Sequence, residues 1–325
     1  MQKNVVVLGG GTGLSYLLKG LKQYPLNITA VVSVSDNGHS SGRLREEFNI
    51  PAVGDLRRVI VALSETEPLM EQIFNYRFKT NSDLNGHSLG NLFLAAMSDI
   101  TENLSSGIEL LGKVMNLKGK VLPLTDSNVT LMGKMEDNSI IEGESQITKS
   151  PKLIKEVYYK EKPKVNPKVI EAIKKADCII LSMGSVFTSI IPNLLCEEVI
   201  KQIDKSKAEI IYTCNIMTQP GETNGFTASD HVKLLNSYLG QRRIDTILLN
   251  NGKISEEIAK KYETLEQKDP VKIDKKELNK LGLKIIEKKF VSIENNIIRH
   301  NSAQLAFQIF SEIMWYPFLV LSKMK

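Results

Sequence analysis

At 325 residues the chain is long enough for one large α/β domain, or for a core domain carrying a small appendage. No apolar stretch approaches ~20 residues, which argues against a membrane-spanning helix, and Met1 leads into a strand-like segment with no signal-peptide pattern. The net charge of +5 is mild, and the lysines near 149–175 and 253–289 interleave with glutamates without aromatic platforms, the mark of a solvated surface rather than a nucleic-acid site.

Short apolar runs alternate with helical spacing along most of the chain, the pattern of a parallel sheet with crossover helices. A first strand is expected at 4–8, its helix from Leu14 to about Tyr24, and a second strand at 28–34. Helices follow over 56–64, 69–76, 89–98 and 105–117. Residues 129–135, the Asp137-Asn138 turn and 139–143 alternate polar and apolar side chains, which predicts a β-hairpin. With 153–159 it makes a small β insertion at about 120–160. A helix then opens at Pro167, a residue suited to a first turn, and strands follow at 178–181, 210–214 and 244–250. Beyond Gly252 come a charged helical stretch, a strand-like 296–298 and a helix from Ser302, together an extension over about 253–325. The expected architecture is a single domain, 1–325, with a three-layer α/β/α, Rossmann-like, mostly parallel sheet. Cys178, Cys196 and Cys214 lack zinc-binding spacing. Cys178 and Cys214 sit in apolar runs, as buried thiols of a reducing cytoplasm would.

The glycine-rich "LGGGTGLS" after the first strand fits neither common fingerprint. The dinucleotide pattern needs a sixth-place glycine, but Leu14 and Tyr16 stand at the two available registers, and a Walker loop needs a lysine where none occurs. A strand, the turn Gly9, Gly10, Gly11, Thr12 and Gly13, and a helix N-terminus remain. Such a terminus attracts anions. A plain βα turn would need only one or two glycines, so the loop favours phosphate.

Other strand ends point to the same edge. "SVSDNGHSSGRLR" offers Asp36, Asn37, Ser40, Ser41 and Arg43, with Asp36 where a ribose-binding acid often lies. "SMGSVFTSIIPN" brings Gly184 and Ser185, and "CNIMTQPGET" brings Asn215. "GHSLG" fits the serine-hydrolase elbow at Ser88, but polar, turn-forming residues precede it where that motif needs a strand, so Ser88 is read as a helix cap. A triad with Asp230 and His231 or His300 is the hydrolase alternative. His39, His87, His231 and His300 make no i, i+4 pair and give zinc little support.

Several strings in order, "GGGTGLS", "SDNGHSSGRLR", "GDLRRVIVALS", "FNYRF", "GHSLGNL", "GES", "TSIIPNLL" and "CNIMTQPGET…SDH", resemble the gluconeogenesis factor (YvcK-like) branch of the CofD-like proteins. The resemblance spans about Val5 to Asn250. It implies a nucleotide-binding α/β/α fold in a cytoplasmic bacterial protein that acts in carbon metabolism and in cell morphogenesis on gluconeogenic carbon sources. It also implies UDP-sugar binding. Related CofD enzymes instead transfer a phospholactyl group from a nucleotide donor. By the same resemblance Gly9 to Gly13 form the phosphate-side loop, Asp36 and Asn37 follow strand two, and His87, Ser88, Gly90, Asn91 and Asn215 match the remaining motifs. His39 stands where a glycine is usual, and Ser182-Met183 where Gly-Pro is usual.

Two functions stay open at this point. One is a non-catalytic UDP-sugar binder with no catalytic residue and no resident metal, working with a protein partner in cell-wall synthesis. The other is a transferase using Mg²⁺ near Asp36 with a nucleotide diphosphate. A homodimer is the default oligomer. Finally, if 296–298 joins the sheet in parallel, Arg299 opens onto the glycine-loop edge and brings a positive fork to a phosphate or to uracil carbonyls. The alternative is a surface arginine paired with Glu294.

Overall fold

The computed structural model describes residues 2–65, 68–101 and 103–323. The apolar run near the start becomes β1 (Lys3–Gly9), and Leu14, Leu17, Leu18 and Leu21 bury one face of α1 (Gly11–Leu21). β2 (Leu26–Val32) follows, then α2 (His39–Phe48), α3 (Gly54–Leu63), α4 (Pro68–Asn75), α5 (Leu89–Ile100) and α6 (Leu104–Val114). After β3 (Lys120–Pro123), a separate three-stranded unit contains β4 (Leu131–Met135), β5 (Ile140–Glu142), the short α7 (Glu144–Lys149) and β6 (Ile154–Tyr159). α8 (Pro167–Lys175) is capped by Asn166, has its proline in the first turn, and leads into β7 (Cys178–Leu181). Next come a π-helical turn at Val186–Ile190, α9 (Ile191–Leu194), α10 (Glu197–Lys205), β8 (Glu209–Thr213), α11 (Ala228–Tyr238) and β9 (Thr246–Asn250). The chain continues through α12 (Glu256–Glu266), α13 (Lys275–Lys280), β10 (Lys284–Lys288), β11 (Val291–Glu294), β12 (Ile297–His300) and α14 (Ser302–Lys323).

The seven-stranded sheet has the order β10-β9-β8-β7-β1-β2-β3, and every neighbouring pair is parallel. Its central strands are buried on both faces, which is why "VVVL", "CIIL" and "EIIYT" read as continuous rather than alternating apolar runs. Leucines and isoleucines of α1, α3, α6 and α14 cover one face, and those of α8, α9, α10 and α11 cover the other. From β1 the chain steps outward to β3, then returns to β7 beside β1 and steps outward the other way. The strand order therefore reverses between β1 and β7, where open α/β sheets form their binding crevice.

Some expected boundaries are corrected. β2 begins and ends two residues earlier than 28–34, and the helix after β1 starts at Gly11 rather than Leu14. Residues 120–123 pair with β2 in the main sheet and are not part of the insertion, whose expected hairpin is β4–β5, joined by β6 and by the unforeseen helix α7. The charged stretch beyond Gly252 holds two helices and also β10, an edge strand of the main sheet. The strand bearing Arg299 does not join that sheet: β12 pairs antiparallel with β11. Among the described residues no helix is long and apolar enough to cross a membrane.

Candidate functional site

The loops after β1, β2 and β7 open onto a cleft of about 880 Å³ at the reversal point, joined by side chains from α2, α3, α7 and the 77–86 segment. The four glycines at the end of β1 and just beyond it divide their tasks. A Cβ on Gly9 would strike Ser182 Oγ, and one on Gly13 would strike the Met183 carbonyl, so these two permit close packing of α1 on the loop after β7. Gly11 lines the cleft, and Gly10 sits against Asp55 and Ser189 beside it. A Cβ on Gly10 would lie 2.9 Å from Asp55 Oδ2, and Gly11 has φ +64°, a conformation glycine adopts without strain. The Gly11 N–H donates to the Asp55 carboxylate, so a carboxylate already faces the start of α1. Thr12 is exposed on the first turn, outside the cleft lining.

One wall is acidic. Asp36, Asp55 and Glu144 all line the cleft. Asp36 Oδ1 accepts from the Gly38 N–H at 2.8 Å, which fixes the turn into α2. Burial, assisted by the charge of Asp36, pushes the Asp55 carboxyl up to about 6, against the opposing effect of Arg58. Burial, with Asp36 and Asp55 nearby, lifts Glu144 to about 7 even though Thr148 and Thr188 hydrogen-bond to it. Ser185, which caps the π-helical turn, and Thr188 and Ser189 within it add hydroxyls beside them. Such π turns often mark functional positions.

The other wall is basic, with Arg43, Arg57, Arg58 and Arg77. Arg58 pairs with Asp55 at 3.3 Å. The other three are held by neutral oxygens: Arg43 donates to the Asp83 and Asn85 carbonyls, Arg77 to the Gly86 carbonyl, and Arg57 to the Asn91 and Asn75 amide oxygens. Among the described residues none of those three forms an ion pair within the chain, although the Asp55 charge acts on Arg57 from across the cleft. A buried relay fixes Arg57. Arg57 Nε donates to Asn91 Oδ1 at 3.0 Å, Asn91 Nδ2 donates to Ser40 Oγ at 3.1 Å, and Ser40 Oγ lies 2.9 Å from His87 Nδ1. Burial, with Arg43 and Arg77 nearby, keeps the His87 pKa below its ordinary value, so the imidazole that shares this hydrogen bond with Ser40 is neutral at physiological pH.

The structure brings Gly11, Asp36, Ser41, Arg43, Asn91 and Ser185 together in the cleft. Gly90 serves packing, since a Cβ there would press on Arg57 and Phe74. Ser88 is fully buried and caps α5, its Oγ accepting from the Asn91 N–H at 3.3 Å, a position without the exposure a nucleophile needs. Asn37 anchors the insertion by accepting from the Ser145 N–H at 2.9 Å. Asn215 and Gly184 exchange two hydrogen bonds, which hold the loop after β7 against the end of β8. Arg299 lies beside α1, its guanidinium 5.2 Å from the Tyr16 ring centroid, and among the described residues it has no ion pair with Glu294. Residue-by-residue reading missed Asp55, Arg57, Arg58, Arg77 and Glu144. All five lie inside strings that carry the resemblance, "GDLRR", "FNYRF" and "GES"; a carboxylate directly after glycine was the available signal for Asp55 and Glu144, and the arginines carried none of their own.

A family model described as 2-phospho-L-lactate transferase CofD matches residues 5–291. A protein of Halalkalibacterium halodurans named gluconeogenesis factor is 47% identical over 306 residues, covering 94% of this chain and 95% of its own. A Bacillus subtilis protein of the same name is 47% identical over 303 residues, covering 93% and 95%. A crystal structure of a Bacillus halodurans protein, described as a member of the UPF0052 family, matches with a TM-score of 0.91 and 47% identity, covering 95% of this chain and 99% of that one. The chain belongs to the CofD-like family, on the branch whose members are named gluconeogenesis factor.

Proposed function

We propose that the chain is a gluconeogenesis factor that binds a UDP-sugar in this cleft and acts by reporting its bound state rather than by turning it over. The carrying observation is the set of three arginines, Arg43, Arg57 and Arg77, held by neutral oxygens at the sheet's reversal point. Guanidinium groups fixed in this way keep their charge for an anion and suit a diphosphate. The hydroxyls of Ser41, Ser185, Thr188 and Ser189, with the acidic wall, suit a sugar. In this reading the protein works in the cytoplasm during growth on gluconeogenic carbon, with a partner in cell-wall synthesis that senses the occupied cleft.

Asp36 and Asp55 are a donor set that fits Mg²⁺ arriving with a diphosphate, since Mg²⁺ commonly takes one or two carboxylates plus phosphate oxygens. Among the described residues no group of three or more His, Cys, Asp or Glu could hold a metal. Bound there, Mg²⁺ would offset the repulsion between the acidic wall and the phosphates. A second reading, a CofD-like transferase, draws support from Asp55 near 6 and Glu144 near 7, carboxyls suited to proton transfer close to neutrality.

Calorimetric titration of UDP-N-acetylglucosamine, with and without Mg²⁺, tests the binding. Arg43→Ala and Arg77→Ala, both at exposed positions, are each expected to weaken affinity by about tenfold or more, the scale of a lost charge-assisted hydrogen bond. Arg299→Ala belongs in the same series, because Arg299 stacks beside the helix that starts at the glycine loop. Unchanged affinity in both cleft variants removes the arginine wall from the site. A nucleotide product released on incubation with UDP-sugar and Mg²⁺ selects the transferase.

A further inference from the structure

α5 is an unusual helix for a surface layer. Its sequence, LGNLFLAAMSDI, carries one charge, Asp99. Gly90, Asn91, Leu94, Ala95 and Ser98 bury its inner face. Its outer face is apolar as well: Phe93, Ala96, Met97 and Ile100 fall at i, i+3, i+4 and i+7, with Phe93 42% and Ile100 74% exposed. A helix apolar on all sides belongs in an interior.

The patch continues onto α6. Gly107 packs closely on Met97, where a Cβ would lie 3.0 Å from the Met97 backbone, and the stripe through Gly107 carries Leu110 and Val114, which are 46% and 78% exposed. Together these side chains expose on the order of 400 Å² of apolar surface, the size of the largest patch a typical monomer carries and one that is often functional. A standard interface buries roughly 800 Å² per partner, somewhat over half of it apolar, so the patch matches the apolar share of one such interface.

From this we infer that the α5–α6 face is a two-fold interface between copies of this chain. The flanking charges favour a second copy over an unrelated partner. Asp99 lies in the last turn of α5 and Lys113 in the last turn of α6, at opposite ends of the helix pair, and among the described residues neither forms an ion pair within the chain. In an isologous contact each patch meets itself. A two-fold axis crossing the line between these residues sets Asp99 of each copy against Lys113 of the other, so the patch is complementary to itself in charge as well as in polarity. The cleft is not part of the contact, which leaves the inference independent of what the cleft binds.

Sedimentation equilibrium of the full chain at micromolar concentration tests this, with circular dichroism melting to follow folding. The wild type is expected to be a dimer. Ile100→Glu and Val114→Glu sit at positions the monomer leaves exposed, so both are expected to keep the wild-type circular dichroism spectrum and a single cooperative melt while raising the dimer dissociation constant at least about tenfold. Should either fold poorly, the charge pair still decides. Asp99→Lys alone is expected to weaken the dimer, and Asp99→Lys combined with Lys113→Asp to restore it. A monomeric wild type overturns the inference, whether or not that monomer captures another protein on this face. So does a dimer indifferent to both glutamates, or a double reversal that fails to recover.

Discussion

Asp55 concentrates the tension in the cleft. Its side chain accepts from the Gly11 N–H and pairs with Arg58, yet burial and Asp36 hold its carboxyl at about 6, above the ordinary carboxylate value of 3.8. An acid whose pKa is higher in the folded state favours folding most when protonated, so this contribution is complete below pH about 4 and is lost as pH rises to about 6. Glu144, lifted from 4.5 to about 7, acts in the same direction and extends the decline toward neutrality. Asp55→Asn keeps an acceptor for Gly11 and removes the cost of the buried charge. Its stability relative to wild type is therefore expected to grow by on the order of 2 kcal/mol between pH 4 and pH 7. Urea unfolding at the two pH values measures this; a difference that shrinks as pH rises would mean that the Arg58 pair outweighs burial.

At the scale of elements, the insertion reaches the site through one amide. Asn37 Oδ1 accepts from the Ser145 N–H, and its Nδ2 fills the space a Cβ on Gly143 would need, so the Asn37 side chain seats the start of α7 and with it Glu144. Asn37→Ala is expected to speed amide hydrogen exchange across 144–149 by about fivefold, the equivalent of ~1 kcal/mol, and to leave the central sheet unchanged. Equal exchange in the variant would show that α7 is held by Ile147 packing alone. The same elements show what the sequence made legible. The central strands were readable because burial on both faces leaves an unbroken apolar run, as in "CIIL". α2 was not, because "HSSGRLREEF" opens with small polar residues and its buried positions include Ser40, Ser41, Gly42 and Arg45 rather than an apolar stripe. β10 was hidden because "KIIEK" is an edge strand with only Ile286 buried, so its charged ends read as helix. The cleft edge followed from strand order. The acidic wall did not, since Glu144 reaches Asp55 only through a fold of the insertion that no local spacing encodes.

Across the whole molecule, the two apolar cores are the opposite faces of one sheet, and the strands β1, β7, β8 and β9 contribute side chains to both. Losing the helices on one face would expose the sheet residues beneath them and remove the support of the other, so the chain is expected to unfold as one unit. The three cysteines sample both sides. Cys178 packs in the core with α1 and α14, whereas Cys196 and Cys214 pack in the core with α8 and α11. All three are buried. Burial pushes the Cys196 and Cys214 thiols up to about 12 and raises Cys178 well above its ordinary value, so thiolate and access must both come from unfolding. In native buffer none is expected to react appreciably with a thiol-specific reagent. In rising urea all three should become labelled over one transition that coincides with loss of the helical circular dichroism signal. Mass spectrometry of the labelled peptides separates the outcomes. If Cys178 reacts at a urea concentration where Cys196 and Cys214 remain protected, the α1–α14 layer opens first and residues 1–325 are not a single cooperative domain. Reaction of Cys214 ahead of the others would instead point to the β11–β12 hairpin, whose His300 donates from Nε2 to the Cys214 carbonyl at 3.1 Å and covers that end of β8.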